Sequence, residues 1–279
     1  MHDKPLFDKF LSLYPQETSE FTFTNLFCWR LTKNITFDVL EDHLLVSFNK
    51  GKQVKFLPPV GPNPVEIIKK IASFYQDRCF VRINDSIAKK LGHEFVIKRD
   101  RDQDDYVYKI DDLKYLHGKK YDGKRNLIKH FEEYKPKVCV LNKSEFEDFL
   151  NFQQRWCMKH NCEHNPDLLA ENIAIEELLY NLEALDVFGI CVVIDHKIEA
   201  FAIGEAQNGT TVVEHFEKAN TDFKGIYQYL LHAFVKTIPD KYTFLNREQD
   251  IGIPGLRKSK LSYHPAKMIE KYTAKFVKA

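Results

Sequence analysis

Hydrophobic and polar positions follow two different periods along the first half of the chain. Apolar residues three or four positions apart predict amphipathic helices in Pro5–Tyr14 and in the segment that begins at Pro64. Between these helices, Asn34–Leu40 and His43–Asn49 alternate about a short polar turn, a pattern typical of a β-hairpin. Four further runs have the composition of strands: Lys52–Leu57, Cys79–Ile83, Glu94–Lys98 and Tyr106–Ile110. Strands interleaved with helices predict a mixed sheet covered by helices.

The same alternation begins again after Lys135–Lys137, which predicts a domain boundary there. A strand at Val138–Leu141 precedes a helix to about His160, for which Ser144 and Glu147 have the spacing of a capping box. Three strand-like runs follow a second amphipathic helix: Phe188–Ile194, Ile198–Glu205 and Thr210–Glu217.

The C-terminal part of the chain predicts one more strand between two helices. Gly225 opens a helix through Thr237, Tyr242–Asn246 has the pattern of a strand, and a basic helix is expected from Pro265. The whole chain is therefore predicted to be α+β or mixed α/β, with domains at residues 1–137 and 138–279.

Composition places the chain among globular proteins. Of its 279 residues, 44% are hydrophobic and 29% are charged, which excludes a disordered or low-complexity chain. No apolar run reaches the roughly 18–20 residues of a membrane-spanning helix, so no span is expected. The start of the chain lacks the apolar core of a signal peptide, and the six cysteines are expected to be reduced thiols. These features predict a cytoplasmic protein.

The net charge of +1 is not spread evenly: one segment of the chain is acidic and two are basic. Residues 99–112 carry a net charge of −3, whereas residues 114–137 carry +5 and residues 256–279 carry +6. Such runs are commonly solvated faces. Two basic segments would also suit an anionic substrate that contacts one face of the protein.

Several common kinds of active site are not supported by the sequence. It contains no Gly-x-Ser-x-Gly elbow, no P-loop and no Gly-x-Gly-x-x-Gly run. Cys157, His160, Cys162 and His164 are ligand types that zinc prefers, but all four fall near one helix end, where they cannot easily form a tetrahedron. We therefore expect no metal.

Two segments have the composition of a ligand site. Lys224-Gly225 lies between a strand and a helix, where free N–H groups could bind a phosphate or carboxylate; the alternative is an ordinary capped loop. The second is a polar run from Asn246 to Lys260 at the end of a predicted strand, where α/β proteins place ligands.

Within this run, carboxylates and cations would bind different parts of a ligand. Glu248 and Asp250 could hold an ammonium group, and Arg257 or Lys260 could hold a phosphate or carboxylate. A loop locked by its own salt bridges is the alternative.

Five segments of the chain resemble one known family. They are Phe23–Arg30, Leu116–Asn126, His215–Asn220, Asn246–Asp250 and Gly255–Pro265. These segments resemble the phosphatidylglycerol lysyltransferase C-terminal family, and the last two are the most specific. The resemblance implies two GNAT-like (acyl-CoA N-acyltransferase) domains in tandem, related in fold to the Fem-type aminoacyl and peptidyl transferases.

The resemblance also implies transfer of an acyl or aminoacyl group to an amine or hydroxyl acceptor. The acceptor, a small molecule or a lipid, stays open. A non-catalytic protein that binds an amino acid, a peptide or an anionic metabolite is the alternative. The donor is aminoacyl-tRNA or acyl-CoA, and aminoacyl-tRNA is favoured because a pyrophosphate site usually has more glycines than the Lys224-Gly225 loop.

On this hypothesis the candidate catalytic bases are Glu214, His215 and Glu248. The expected substrate-binding residues are Lys119, Lys120, Arg125, Asn126, Lys224, Gly225, Asn246, Asp250, Arg257, Lys260 and Tyr263.

Overall fold

A computed structural model describes residues 1–50, 53–74, 78–142 and 145–277 of the protein. Two sequence predictions, the helix cap at Ser144 and the start of a strand at Lys52, lie outside the described residues. The helices are α1 (Lys4–Leu13), α2 (Phe23–Lys33), α3 (Pro64–Phe74), α4 (Asp85–Ala88), α5 (Ile110–Tyr115), α6 (Asp122–Glu132), α7 (Phe146–Lys159), α8 (Pro166–Tyr180), α9 (Ile226–Thr237) and α10 (Pro254–Leu261).

The strands form two mixed sheets. They are β1 (Thr36–Leu40), β2 (His43–Lys50), β3 (Gln53–Phe56), β4 (Cys79–Asn84), β5 (Phe95–Arg99), β6 (Asp105–Lys109), β7 (Lys137–Val140), β8 (Val187–Ile194), β9 (Lys197–Ala206), β10 (Thr211–Ala219), β11 (Phe244–Asn246), β12 (Lys267–Ile269) and β13 (Lys271–Phe276).

The chain divides into two compact units. The first comprises residues 1–106, 248–261 and 267–279, and the second comprises residues 107–247 and 262–266. This division differs from the predicted halves because β6 pairs with β11 in the second unit and β13 pairs with β4 and β5 in the first. The predicted boundary at residue 138, where one GNAT-like domain would end and the next begin, stays a prediction.

The first unit contains a sheet of order β1-β2-β3-β4-β13-β5. The predicted hairpin is present, with Leu40 opposite His43, and its two turn residues have left-handed backbone angles. Strands β3 and β4 are parallel and are joined through α3, whose Ile68 packs in a buried cluster with Phe80 and Ala274. This strand–helix–strand crossover gives the unit its core.

In the second unit the strands follow the order β6-β11-β10-β9-β8-β7. Helix α9 crosses from β10 to β11, which are parallel, and the remaining neighbours are antiparallel. Phe149 of α7 packs edge-on against Phe201 of β9, with 5.7 Å between the ring centroids. The fully buried Leu230 and Phe234 show that α9 presents its apolar face to the core.

Two predictions about the C-terminal half are wrong. The basic helix from Pro265 is replaced by β12 and β13, and Lys271 and Ala274 of β13 are fully buried. Pairing with strands distant in sequence overrides the charge pattern here. Cys157 and Cys162 are not thiols but form a disulfide at the C-terminal end of α7, whereas the other four cysteines are not disulfide-bonded.

Over the described residues, no helix combines the length and the apolar character that crossing a membrane requires.

Candidate functional site

Strands β10 and β11 separate partway along their length. Their parallel pairing runs from Thr211 and Phe244 to Val213 and Asn246, where β11 ends. Strand β10 continues to Ala219 beside β9. The polar residues that follow the last pair on each strand therefore lie where the two strands part.

Arg247 bridges two glutamates at this point. Its Nε donates to Glu214 Oε2 at 2.6 Å, and its Nη2 donates to Glu217 Oε2 at 2.5 Å. Arg247 and Glu214 are 7% and 5% exposed, so water screens this pair weakly. Burial opposes the charge on Arg247, but Glu214 and Glu217 outweigh it and raise the pKa of the guanidinium well above its usual value.

A β-bulge brings the two glutamates to the same side of β10. Residues three apart in a regular strand point to opposite faces. In the pairing with β9, however, Glu214 lies opposite Gly204 and Phe216 lies opposite Ile203, which are neighbours in β9. His215 therefore has no residue opposite it and forms the bulge. The shift of one position lets both Glu214 and Glu217 reach Arg247.

Aromatic rings and a second cation surround Arg247. The guanidinium carbon lies 6.0 Å from the ring centroid of Tyr108 and 5.6 Å from that of Tyr263. Lys124 Nζ lies 4.0 Å from the Tyr263 ring centroid and donates to Ser262 Oγ at 2.6 Å. Burial, followed by repulsion from Arg247, lowers the pKa of Lys124.

One oxygen of the Glu214 carboxylate has no hydrogen-bond partner among the described residues. Glu214 Oε1 is buried and accepts no hydrogen bond from any described residue, while Oε2 of the same carboxylate binds Arg247. A buried acceptor left without a donor costs about 1–3 kcal/mol. Glu214 Oε1 is therefore positioned to accept a proton or a hydrogen bond from a ligand.

His215 has a different partner from Glu214. Its Nε2 lies 2.8 Å from Glu205 Oε1, and its side chain is 2% exposed. The predicted bases Glu214 and His215 are thus adjacent in sequence but belong to separate polar groups. Asn246, also buried, donates from Nδ2 to Gln207 Oε1 at 3.3 Å.

The four predicted residues from Glu248 to Lys260 belong to the first unit. Asp250 and Arg257 bind each other through two hydrogen bonds of 2.8 Å, and Asp250 also accepts from Tyr106 Oη at 2.5 Å. Burial alone would raise the pKa of Asp250, but these donors outweigh it and hold that pKa well below its usual value. The geometry of this pair is that of a salt-bridged loop.

The other two residues of this run also bind within the first unit. Glu248 accepts from Asn25 Nδ2 at 3.1 Å, and Lys260 Nζ donates to the carbonyl of Gln249 at 2.6 Å. Glu248 has a left-handed backbone, with φ of 53°.

A basic segment precedes and begins α6 in the second unit. Lys119, Lys120 and Asn126 are exposed. Arg125 is also exposed, but it donates to the carbonyls of Leu116 and Gly118 and to Asp122. Arg125 therefore organises this turn, while the two lysines present charge to solvent.

Packing accounts for the glycine of the Lys224-Gly225 loop. Gly225 has φ of 93° and precedes the first residue of α9, and a Cβ added there would clash with the carbonyl oxygen of Leu127 in α6. Lys224 beside it is exposed.

Sequence reasoning did not assign Arg247, Glu217, Tyr108 or Lys124 to the site. Arg247 lies in the Asn246–Asp250 segment, so the sequence did mark it as a possible site residue. Glu217 lay within the His215–Asn220 segment, but the β-bulge that lets it reach Arg247 cannot be predicted from residue spacing.

Cys157 and Cys162, two of the residues weighed as zinc ligands, are bonded to each other. His160 stacks on Trp156, with ring centroids 3.9 Å apart. Across residues 1–50, 53–74, 78–142 and 145–277, no cluster of three or more His, Cys, Asp or Glu side chains is arranged to hold a metal ion.

Comparison with known proteins identifies the family. The family model "Phosphatidylglycerol lysyltransferase, C-terminal" matches residues 11–275. The chain belongs to this family. The match covers both units of the phosphatidylglycerol lysyltransferase C-terminal fold and all candidate residues.

Solved structures agree with this assignment. A conserved protein of unknown function from Bacteroides thetaiotaomicron is 30% identical, with a TM-score of 0.93 over 99% of this chain and 97% of that one. L-PGS from Bacillus licheniformis is 14% identical, with a TM-score of 0.66 over 98% of this chain and 92% of that one. FemX is 11% identical, with a TM-score of 0.63 over 98% of this chain and 96% of that one. The likeness to FemX confirms the predicted relation in fold to the Fem type, and the two mixed sheets confirm the predicted mixed α/β class.

Proposed function

We propose that this protein transfers an aminoacyl group from a charged tRNA to an amine or hydroxyl acceptor, beside Glu214 in the second unit. The observation that carries the proposal is the buried Oε1 of Glu214, which lacks a hydrogen-bond donor among the described residues. Membership of the phosphatidylglycerol lysyltransferase C-terminal family supports the reaction class.

The chemistry required of Glu214 is that of a general base. The acceptor nitrogen or oxygen forms a bond to the ester carbonyl carbon of the aminoacyl group, and the bond from that carbon to the ribose oxygen breaks. The acceptor proton passes to Glu214 Oε1, and the released ribose oxygen takes a proton from solvent. Arg247 donates to Oε2 and so fixes the orientation of the carboxylate before the reaction.

The basic segment beside α6 supports tRNA as donor. Lys119 and Lys120 are exposed cations that could contact phosphates, and positive charge of this kind supplies most sequence-independent affinity for nucleic acid. Acyl-CoA is less well supported, because the close approach of Leu127 explains Gly225 without a pyrophosphate.

The test is the rate of aminoacyl transfer by Glu214→Gln, with a pool of charged tRNA as donor and phosphatidylglycerol vesicles, free amino acids and dipeptides as acceptors. Glutamine keeps an acceptor for Arg247 but cannot take a proton, so kcat should fall by about 10²–10⁴-fold. The exposed Glu147 of α7 provides a matched control, because Glu147→Gln makes the same chemical change outside the cluster.

A rate for Glu214→Gln equal to that of Glu147→Gln would refute the assignment of the base. A protein that binds amino acids or dipeptides but transfers nothing from charged tRNA would instead be the non-catalytic binding protein.

A further inference from the structure

Two cysteines of the second unit lie directly opposite each other in its sheet. Cys139 of β7 pairs with Cys191 of the antiparallel strand β8. Side chains of directly opposite residues project from the same face of a sheet, so the two thiols face the same layer. The proposed transfer at Glu214 uses neither cysteine.

The pairing places the two α-carbons at the separation that a disulfide requires. Close by, the N–H of Leu141 donates to the carbonyl of Gly189 at 2.9 Å. Hydrogen-bonded and non-hydrogen-bonded pairs alternate along antiparallel strands, so the cysteine pair, two residues further along, is of the hydrogen-bonded kind. The α-carbons of such a pair are about 5.5 Å apart, and disulfides span about 4.4–6.8 Å. The pair can therefore close without a large movement of the backbone.

The two thiols differ in their access to solvent. Strand β7 lies at one end of the strand order, and Cys139 is partly exposed, whereas Cys191 is fully buried. Burial is the largest effect on the pKa of Cys191, followed by the charge of Glu145. Together with the charge and the side-chain hydrogen bond of Cys139, and against a backbone hydrogen bond, these effects raise that pKa to about 12. An oxidant in solution therefore meets Cys139 first, while Cys191 stays a protonated thiol opposite it.

A carboxylate that acts on Cys191 has an oxygen available to accept a proton. Glu145 directly precedes α7, and its Oε2 is buried and accepts no hydrogen bond from any described residue. Cys191 must lose its proton when its sulfur forms a new bond. Glu145 Oε2 can accept that proton.

We propose that Cys139 and Cys191 are a peroxide-sensitive dithiol site, which hydrogen peroxide converts into a disulfide. The Cys139 sulfur attacks one peroxide oxygen, the O–O bond breaks, and a sulfenic acid and a water form. Cys191 then attacks the Cys139 sulfur, so that the S–S bond forms and the S–O bond breaks. The Cys191 proton passes to Glu145 Oε2 and on to the departing hydroxide. Altogether the two thiols lose two electrons and two protons, and one peroxide becomes two waters.

The experiment treats the intact protein with hydrogen peroxide, blocks the remaining thiols with N-ethylmaleimide and identifies linked peptides by mass spectrometry without reduction. A Cys139–Cys191 link should form. Cys79 of β4 is the internal reference, because it is also partly exposed but lies opposite Lys55 and Lys275, and it should stay unlinked. Cys139 that stays a thiol, Cys139 that is oxidised without forming the link, or links to Cys79 in equal yield would each overturn the proposal.

Variants separate the two steps of the reaction. Cys191→Ser removes the thiol that attacks the sulfenic acid, so dimedone should label Cys139 strongly in this variant and weakly in the wild type and in the control Cys79→Ser. Glu145→Gln should raise the labelling and slow the link, whereas Glu147→Gln, at an exposed position, should change neither. Equal labelling of Cys139 in the wild type and in Cys191→Ser would show that Cys191 does not react with the sulfenic acid, and the proposal would fail.

Hydrogen exchange tests whether the disulfide fits the folded sheet. The link joins two strands that are separated in sequence by α7 and α8, and a cross-link that closes a long loop disfavours open states of the chain. The amides of β7 should therefore exchange at least about tenfold more slowly after peroxide treatment. Exchange that is equal or faster would show that the folded sheet does not place the pair for bonding, and would overturn the proposal. No tRNA is present, so this result is independent of the proposed transferase.

Discussion

Replacing Gly225 with alanine tests whether packing or ligand binding requires this glycine. Its φ of 93° is one that residues with a Cβ rarely adopt. The added Cβ would clash with the Leu127 carbonyl oxygen, and it would lie 3.0 Å from the carbonyl carbon and 3.3 Å from Phe131 Cβ. Both groups belong to α6, a packed helix that cannot move without disturbing α9.

The expected loss combines two costs. A left-handed backbone at a residue with a Cβ costs about 1–2 kcal/mol. Overpacking against a helix backbone adds about 1–3 kcal/mol. The sum is about 2–5 kcal/mol of unfolding free energy, which should lower the Tm by about 5–20 °C in a chain of this size.

Urea and thermal unfolding of Gly225→Ala measure this loss, and Gly209→Ala is the matched control. Gly209 lies in the turn between β9 and β10, with no atom within 4 Å of an added Cβ. Its variant should stay within about 0.5 kcal/mol of wild type. If Gly225→Ala were as stable as Gly209→Ala and lost only ligand affinity, the packing explanation would be refuted and a bound phosphate would account for the glycine.

Two further predictions concern Asp250 and the basic segment. The lowered pKa of Asp250 means that its carboxylate stabilises the fold above the ordinary pKa of about 3.9, and that this stabilisation is lost as the pH falls below it. Urea unfolding from pH 6 to pH 2.5 should therefore show the advantage of wild type over Asp250→Asn shrinking, and a constant difference would contradict the assignment. The double variant Lys119→Ala/Lys120→Ala should weaken tRNA binding and reduce the slope of log Kd against log salt by about 0.7–0.9 per lysine. The control is Lys197→Ala/Lys236→Ala, which removes two exposed lysines of the same unit and should change neither quantity. Equal salt slopes in both double variants would leave the basic segment without a role in tRNA binding.

Local patterns predicted much of the fold. The hairpin of β1 and β2, the helix that Pro64 begins, and the crossover of β10, α9 and β11 all follow from spacing within one segment. The C-terminal strands could not be predicted in this way. Strand β13 pairs with β4 and β5, which lie far away in the sequence, and its charged residues resemble those of a helix face. The compact units differ from the predicted halves for the same reason.

The candidate site shows the same limit. Glu214 was predicted from the sequence as a candidate base, and it directly precedes the His215–Asn220 segment that carries the family resemblance. The pairing of Glu214 with Arg247 depends on where β11 ends, and the contribution of Glu217 depends on one extra residue in β10. Asp250 and Arg257 were expected to hold different parts of a ligand, with a salt-bridged loop as the alternative, and only the structure shows that they bind each other.

The most direct test of the proposed transferase is the product formed from charged tRNA. The wild-type protein is incubated with tRNA that carries isotopically labelled amino acids and with the three acceptor classes, and products are identified by mass. The proposal predicts an acceptor that has gained one aminoacyl group, at a rate above the protein-free control. If every aminoacyl ester decays only to free amino acid at the rate of that control, tRNA-dependent transfer is contradicted.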